Sequence, residues 1–451
     1  MAGEVICKSE FTTKRFLFDL ITNGVPKKNG CYAVIGARRV GKTQLFLQLN
    51  EYFGNKASYL SLEGIKVFSF ADYYSSMVSS GKEYVFIDEV CKLDEDYIGD
   101  FIVYSRLYSS RLKIFITGSV SASVRMLCYD IGRGDVYEMP PIMYCERLAW
   151  KEGFDSIYDT DLRGLSSDDK YKMYLMNQYL EPNELKEYFN AVVNDTILSY
   201  TNSTALDGVE LVDAGNMYKA LQVISICQRM EVKRNGLYAS PKSLESEIAK
   251  KLKEEYGYEK RFVWNKKAIE STLTILLNAG LAKIVSKYNG GLNDSVSVLE
   301  AFGKLPAVIF EYPWYASVWS DGLVEKSKML LAVWVEHSLL LRTNYIYPFV
   351  DKFRDISSRE IDIVYLTDNG FYYGLEVKSG RESNVSHEYK MKIDHLANEI
   401  GLKDCIISSS DGQYRNDLLA LCLEFEYIDI IRRGDIYSSK NTAELYSDFI
   451  K

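Results

Sequence analysis

Gly36-Ala37-Arg38-Arg39-Val40-Gly41-Lys42-Thr43 reads G-x-x-x-x-G-K-T, and the residues on either side decide how it should fold. The apolar run Cys31-Tyr32-Ala33-Val34-Ile35 comes before it, and the amphipathic run Gln44-Leu45-Phe46-Leu47-Gln48-Leu49 follows. Strand, glycine loop and helix, in that order, is the setting that a phosphate-binding loop requires. Gly36 and Gly41 let the backbone turn its N–H groups inward, with Ala37, Arg38, Arg39 and Val40 between them. The helix that begins near Gln44 adds positive potential from its N-terminus. The Lys42 ammonium is expected to reach the β and γ phosphates and to contact ligand alone, with the loop as exposed backbone. The Thr43 hydroxyl is expected to sit on Mg2+. The loop predicts binding of ATP or GTP.

A second segment, Tyr84-Val85-Phe86-Ile87-Asp88-Glu89-Val90, is an apolar strand ending in two adjacent carboxylates. A buried strand that delivers Asp88 at its C-terminal end can hold the Mg2+ bridging the β and γ phosphates. Glu89, one residue on, stands where a base would orient the attacking water. An ordinary strand capped by surface acids would look similar, and the glycine loop upstream favours the catalytic reading. A third strand, Leu112-Lys113-Ile114-Phe115-Ile116, ends in Thr117-Gly118-Ser119. Ser119 would lie next to the γ phosphate and report its presence, although Gly-Ser also makes a plain turn.

At 451 residues the chain is too long for one core, and roughly two to four domains are expected. A hydrophobic content of 47% with 26% charged residues is that of an ordinary globular protein. The net charge of -8 gives no global pull toward nucleic acid or anionic membrane, so any DNA contact needs a local basic face. The eight cysteines show no C-x-x-C pair, and Cys31, Cys227 and Cys422 lie in apolar runs as small core residues. No apolar run approaches the roughly 18 residues of a transmembrane helix, and Met1-Ala2-Gly3-Glu4 lacks a signal-peptide pattern. A reducing, cytoplasmic setting without a membrane partner is the expectation. His337, His387 and His395 are too dispersed to suggest a metal cluster.

Four regions are expected: an α/β phosphate-loop domain over 1–150, a helical lid or connector over 151–203, a winged-helix-like region over 204–325, and a second α/β unit over 326–451. In the first, strands near 31–35, 57–62, 84–88, 112–116 and 135–139 alternate with helices, the pattern of a mostly parallel sheet covered on both faces. Met139-Pro140-Pro141 closes it. In the third, a helix from Asn265 to Leu277 stops at Gly280, then the run Leu281–Tyr288 and the turn Asn289-Gly290-Gly291 read as a hairpin. Three helices and a hairpin suggest a winged helix whose third helix presents Lys266, Lys267, Ser271 and Thr274 to DNA. A lid that never touches DNA fits the same modestly basic face equally well.

In the last region, strands are expected near 361–366, 371–377 and 405–408, with a helix over about 387–400. Asp362 lies within Glu360-Ile361-Asp362-Ile363-Val364, and Gly374-Leu375-Glu376-Val377-Lys378 follows the turn Thr367-Asp368-Asn369-Gly370. Adjacent strands carrying D and E-x-K bring two carboxylates and a lysine to one face, because residues two apart on a strand share a side. Asp362 and Glu376 would chelate Mg2+, Lys378 would position water at a phosphodiester, and Glu336 on the preceding helix would complete the carboxylate set. A hairpin with solvated charges is the alternative, since Glu-Val-Lys is common in strands.

With both constellations in view, the chain resembles the AAA-type ATPases of archaea and bacteria that carry a C-terminal domain related to PD-(D/E)xK nucleases. The likeness runs over residues 15–150 and 180–410. Ile116-Thr117-Gly118-Ser119 is similar to that family's sensor segment. Gly132-Arg133 falls at its Gly-Arg, and Pro141–Leu148 is similar to its Pro-Leu-Ser-Phe-Arg-Glu-Phe stretch in partly kept form. Tyr188–Ile197 is similar to a helix that follows. The resemblance implies a P-loop NTPase domain of the AAA type, a helical and winged-helix middle region and a nuclease-like α/β end. It also implies ATP and Mg2+ as cofactors, DNA as a partner, and Arg133 as an arginine finger or sensor. An Arg133 that acts in trans would need a homo-oligomer. An ATP-driven switch or scaffold, whose nuclease-like end serves only binding or oligomerisation, is the competing expectation.

Overall fold

The computed structural model describes residues 13–24, 26–65, 68–132, 134–139, 191, 195–196, 250, 274–276, 278–279, 281–284, 286–287, 308–310, 350–354, 359–367, 370–378 and 386–409. The chain divides into two compact units. The first comprises Met1–Ile142 with Val192–Val209 and Asn278–Leu281, and the second comprises Met143–Ala191, Glu210–Leu277 and Ala282–Lys451.

In the first unit, five strands form one parallel sheet: β1 (Gly30–Ile35), β2 (Ala57–Ser61), β3 (Tyr84–Asp88), β4 (Lys113–Thr117) and β5 (Val136–Glu138). Their order across the sheet is β2-β3-β4-β1-β5, and every pairing is parallel. Every residue of β1 and β3 is buried. That is why both read as unbroken apolar runs: a parallel strand is covered on both faces. Alternation along the strands sorts the side chains into two layers.

On one face Cys31, Ala33, Val85, Ile87, Ile114 and Ile116 pack with Phe70 of α3 (Phe70–Ser79), Phe101 of α4 (Glu95–Tyr108) and Val124 of α5 (Ser121–Ile131). On the other, Tyr32, Phe86 and Phe115 make an aromatic layer, with Phe46 of α2 (Lys42–Phe53) centred 5.3 Å from Phe86. Such ring pairs add to the area they bury. α1 (Phe16–Thr22) lies against α2. Among the described residues no helix is long and apolar enough to cross a membrane.

In the second unit, β7 (Ser286–Lys287), β9 (Val350–Arg354), β10 (Glu360–Leu366), β11 (Tyr372–Lys378) and β12 (Asp404–Ser409) form a mixed sheet in the order β12-β11-β10-β9-β7. β9, β10 and β11 run as an antiparallel meander. β12 is parallel to β11, and the connection between them carries α6 (His387–Glu399). A parallel neighbour needs a crossover of this kind. Ile393, Leu396 and Ala397 of α6 close a core with Ile361, Val364 and Cys405.

The expected hairpin at Asn289-Gly290-Gly291 differs from what is seen. β6 (Ala282–Ile284) pairs antiparallel with β8 (Val308–Phe310), whereas Ser286–Lys287 joins the larger sheet beside β9. Strand patterning specifies which face is buried, not which strand is the partner. The turn residues themselves, like Lys266, Lys267 and Ser271, lie outside the described residues. Thr274, Ile275 and Leu276 are helical, with Ile275 and Leu276 buried.

One glycine between α5 and β5 carries a steric demand. A Cβ on Gly134 would stand 1.4 Å from the Cys31 carbonyl oxygen, and backbone at the sheet centre cannot move aside. Gly134→Ala should therefore destabilise the first unit by about 3 kcal/mol, at the upper end of ordinary overpacking. Denaturant unfolding of the two proteins measures the difference.

Candidate nucleotide site and a second carboxylate pair

Open parallel sheets bind ligands beyond the C-terminal ends of their strands. Here three ends stand level, because Ala33 pairs with Ile116 and Ile116 with Ile87. β1 runs into the glycine loop, β3 delivers Asp88, and β4 lies between them with Thr117 at its end. The Thr117 hydroxyl donates to the Val34 carbonyl at 2.6 Å and fastens β4 to β1 at this edge.

The loop is held from several sides. The Ser121 hydroxyl accepts from the Gly36 N–H at 3.2 Å and donates to the Gly36 carbonyl at 3.0 Å. Buried Arg15 donates to the Val40 carbonyl. Asp195 accepts from Arg39 Nε at 2.8 Å through its carboxylate and from Arg38 Nη1 at 3.1 Å through its carbonyl. Gly41 is left-handed at φ +97°, and α2 starts one residue later at Lys42, two residues before the expected Gln44. Arg39 is also left-handed, at φ +63°, a conformation uncommon away from glycine. Gly36 has a second reason to be glycine: a Cβ there would meet the Met139 carbonyl oxygen at 2.2 Å.

Lys42 corrects one expectation. Its ammonium does not face ligand alone: it is 9% exposed and donates to the Gly36 and Ala37 carbonyls at 2.9 and 2.8 Å. A side chain that follows the left-handed Gly41 folds back along the loop and finds the carbonyls closest to it. Burial lowers its pKa to about 8, against the opposing pull of Asp88 and Glu89. Thr43 is exposed at the start of α2, and Gln44 is half-buried.

Asp88 is 3% exposed. Its Oδ1 accepts the Glu89 N–H at 2.8 Å, and its Oδ2 accepts the Tyr59 hydroxyl at 3.0 Å. Glu89 is left-handed at φ +56°, and its Oε2 is buried with no hydrogen-bond partner among the described residues. Strained backbone and an unsatisfied buried oxygen together mark a residue held for something other than stability. Ser119 is 5% exposed, yet the hydroxyl that grips the loop belongs to Ser121. Arg133 lies outside the described residues. Ser121, Tyr59 and Asp195 were not singled out from the sequence. Of these only Ser121 had a usable signal, as a hydroxyl opening the helix after β4.

In the second unit, the β10–β11 ladder runs to Ile363 with Leu375, and Asp362 and Glu376 are the next residues on the two strands, where the register of β10 against β9 is irregular between Ile361 and Val364. They are 6% and 1% exposed. Asp362 Oδ2 accepts the Val377 N–H at 2.8 Å, and Glu376 Oε1 accepts the Tyr389 hydroxyl at 2.6 Å. The Cys405 thiol close by is pushed far up by burial and then by Glu376, Asp404 and Asp362. Lys378 closes β11, but its side chain and all of Glu336 lie outside what is described. Among the described residues no group of three or more His, Cys, Asp or Glu could hold a metal ion. Two carboxylates on adjacent strands would still suit Mg2+, which keeps several waters and takes one or two such ligands.

The pKa of Lys42 gives a direct test. In the free protein the ammonium loses its proton as the pH rises through about 8. Bound phosphates would restore the charge. Near pH 9, ATP binding should therefore take up close to one proton, and at about pH 6.5 almost none. Affinity should weaken up to about tenfold per pH unit above that point. Calorimetry in buffers of different ionisation enthalpy reads the uptake, and Lys42→Ala should remove both the uptake and tight binding.

Residues 28–148 match a family model described as an AAA domain. No curated protein matches the chain. Among solved structures, a Walker-type ATPase of Pyrococcus abyssi is 11% identical, with 69% of this chain and 97% of that one covered, at a TM-score of 0.37. The RuvB Holliday junction branch migration motor of Thermotoga maritima is 13% identical, with 60% and 87% covered, at a TM-score of 0.23. At such scores neither likeness carries weight. The family match covers residues 28–148, and the five-stranded parallel sheet of the first unit is consistent with a P-loop NTPase domain.

Proposed function

We propose that this chain hydrolyses ATP at the C-terminal edge of its parallel sheet, and that nucleotide state governs a DNA-acting, nuclease-like second unit. The observation that carries the first half is Glu89: a carboxylate with one buried, unpartnered oxygen, directly after the buried Asp88 and level with the glycine loop. Lys42 would exchange its two loop carbonyls for phosphate oxygens, and the loop amides and helix N-terminus would bind the rest of the anion. The Thr43 hydroxyl and Asp88 would hold Mg2+, which neutralises charge on the β and γ phosphates. Glu89 would orient the attacking water and take its proton. Ser119 and Arg133 keep their expected roles beside the γ phosphate. An Arg133 acting in trans calls for a homo-oligomer.

The second half rests on order and register. An antiparallel meander, a helical crossover to a parallel strand, and Asp362 and Glu376 on its adjacent second and third strands are what a PD-(D/E)xK core requires. Glu336 and Lys378 would complete that site, and the winged-helix-like region would bring DNA. One observation favours the switch instead: each carboxylate already accepts a donor from its own fold, Asp362 from Val377 and Glu376 from Tyr389. A module kept for binding or oligomerisation needs no more than that.

Phosphate release and strand cutting, followed together with ATP, Mg2+ or Mn2+ and single- and double-stranded DNA, separate the two readings. Glu89→Gln should bind Mg-ATP normally but turn it over at least about 100-fold more slowly, whereas Asp88→Ala should weaken Mg2+-dependent binding. Identical behaviour of the two variants would end this division of roles. Asp362→Ala should abolish Mn2+ binding by the second unit and any nicking while ATP turnover stays near wild type. Mn2+ binding without cleavage of any DNA tried would select the switch.

A further inference from the structure

Asp88 is gripped by a residue from the edge of the sheet. In the β2–β3 register Tyr59 stands opposite Phe86 and Ser61 opposite Asp88. Residues two apart on a strand share a face, so Tyr59 lies on the same side as Phe86 and Asp88, the side covered by α2 and the glycine loop. From there the Tyr59 hydroxyl reaches Asp88 Oδ2 at 3.0 Å, while the Glu89 N–H takes Oδ1 at 2.8 Å. One donor sits on each oxygen, from opposite edges of the carboxylate. The group cannot turn about its Cβ–Cγ bond without breaking one of them. Each oxygen keeps a further lone pair for a metal ion or a metal-bound water.

We infer that Tyr59 is a positioning residue for the ATPase reaction, fixing the orientation of the Asp88 carboxylate on which Mg2+ is held. The inference rests on the ATPase reading above. It follows from how a rigid ligand behaves: hydrogen bonds behind a ligating group set its direction, and removing one costs roughly 10–100-fold in metal affinity or activity.

Tyr59→Phe removes only the hydroxyl. Tyr129→Phe, on the outer face of α5 and 63% exposed, is the control. With full-length protein, the Mg2+ concentration for half-maximal ATP turnover should rise about tenfold in Tyr59→Phe. Binding of a fluorescent ATP analogue in EDTA, and the unfolding temperature without nucleotide, should match wild type.

The same Mg2+ titration followed by analogue binding serves if turnover is too slow to measure. A wild-type protein with Mg2+-dependent binding or turnover, and a Tyr59→Phe variant with the same Mg2+ midpoint, would overturn the inference alone. Loss of metal-free binding or of folding in Tyr59→Phe would also overturn it, by making Tyr59 structural. A wild type that neither hydrolyses ATP nor binds it more tightly with Mg2+ would remove the ATPase reading and this inference with it.

Discussion

The Lys42 ammonium is buried at the start of α2 with two loop carbonyls as hydrogen-bond partners and two nearby carboxylates as its counter-charge. A buried cation is tolerated only where such partners are held in place. Much of the first unit serves that end. Asp88 and Glu89 arrive beside the loop because β3 is separated from β1 by a single strand. The loop keeps its carbonyls turned toward Lys42 because Ser121, Arg15 and the backbone of Met139 hold it. Near pH 8 the lysine is about half discharged, and a bound phosphate would favour its charged form.

Both candidate metal sites treat their carboxylates alike. Asp88 accepts one backbone N–H and one tyrosine hydroxyl. Across β10 and β11, Asp362 accepts a backbone N–H and Glu376 a tyrosine hydroxyl. Each tyrosine comes from a neighbouring element, β2 in one unit and α6 in the other. On α6 the Ser386 side chain caps the helix by accepting the Tyr389 N–H at 3.1 Å, which sets the first turn and so the tyrosine's reach. A carboxylate held in this way is directed as well as charged, and direction is what a small hard cation selects for. The same hydrogen bonds also hold the group in place when no cation is bound, so the second pair fits a catalytic and a structural role.

Asp195 adds a long-range constraint. It is 157 positions from Arg38, yet it clasps both arginines of the glycine loop. Exposed ion pairs contribute little stability, at most about 1 kcal/mol. Their effect here is geometric: they tie Asp195, from beyond the sheet, to the left-handed Arg39 and to Arg38 of the glycine loop.

Elements whose signal is local were legible in the sequence. The strands β1, β3 and β4, the start of α2, the antiparallel pair β10 and β11 and the helix α6 come within two residues of expectation. Unbroken apolar runs, glycine punctuation and period-two alternation act over a few residues. The glycine loop, Asp88 with Glu89, and Asp362 with Glu376 were named for the same reason, since each depends on spacing along one or two strands. What the sequence could not contain was pairing at a distance. That Ser286–Lys287 joins β9 and not a local hairpin, that Tyr59 serves Asp88, that Ser121 grips Gly36 and that Asp195 holds Arg38 and Arg39 are all decided by strand order and packing. A hydroxyl or carboxylate reads the same at any position along the chain. Only the folded sheet, by setting which strands are neighbours and in what register, determines what lies within 3 Å of it.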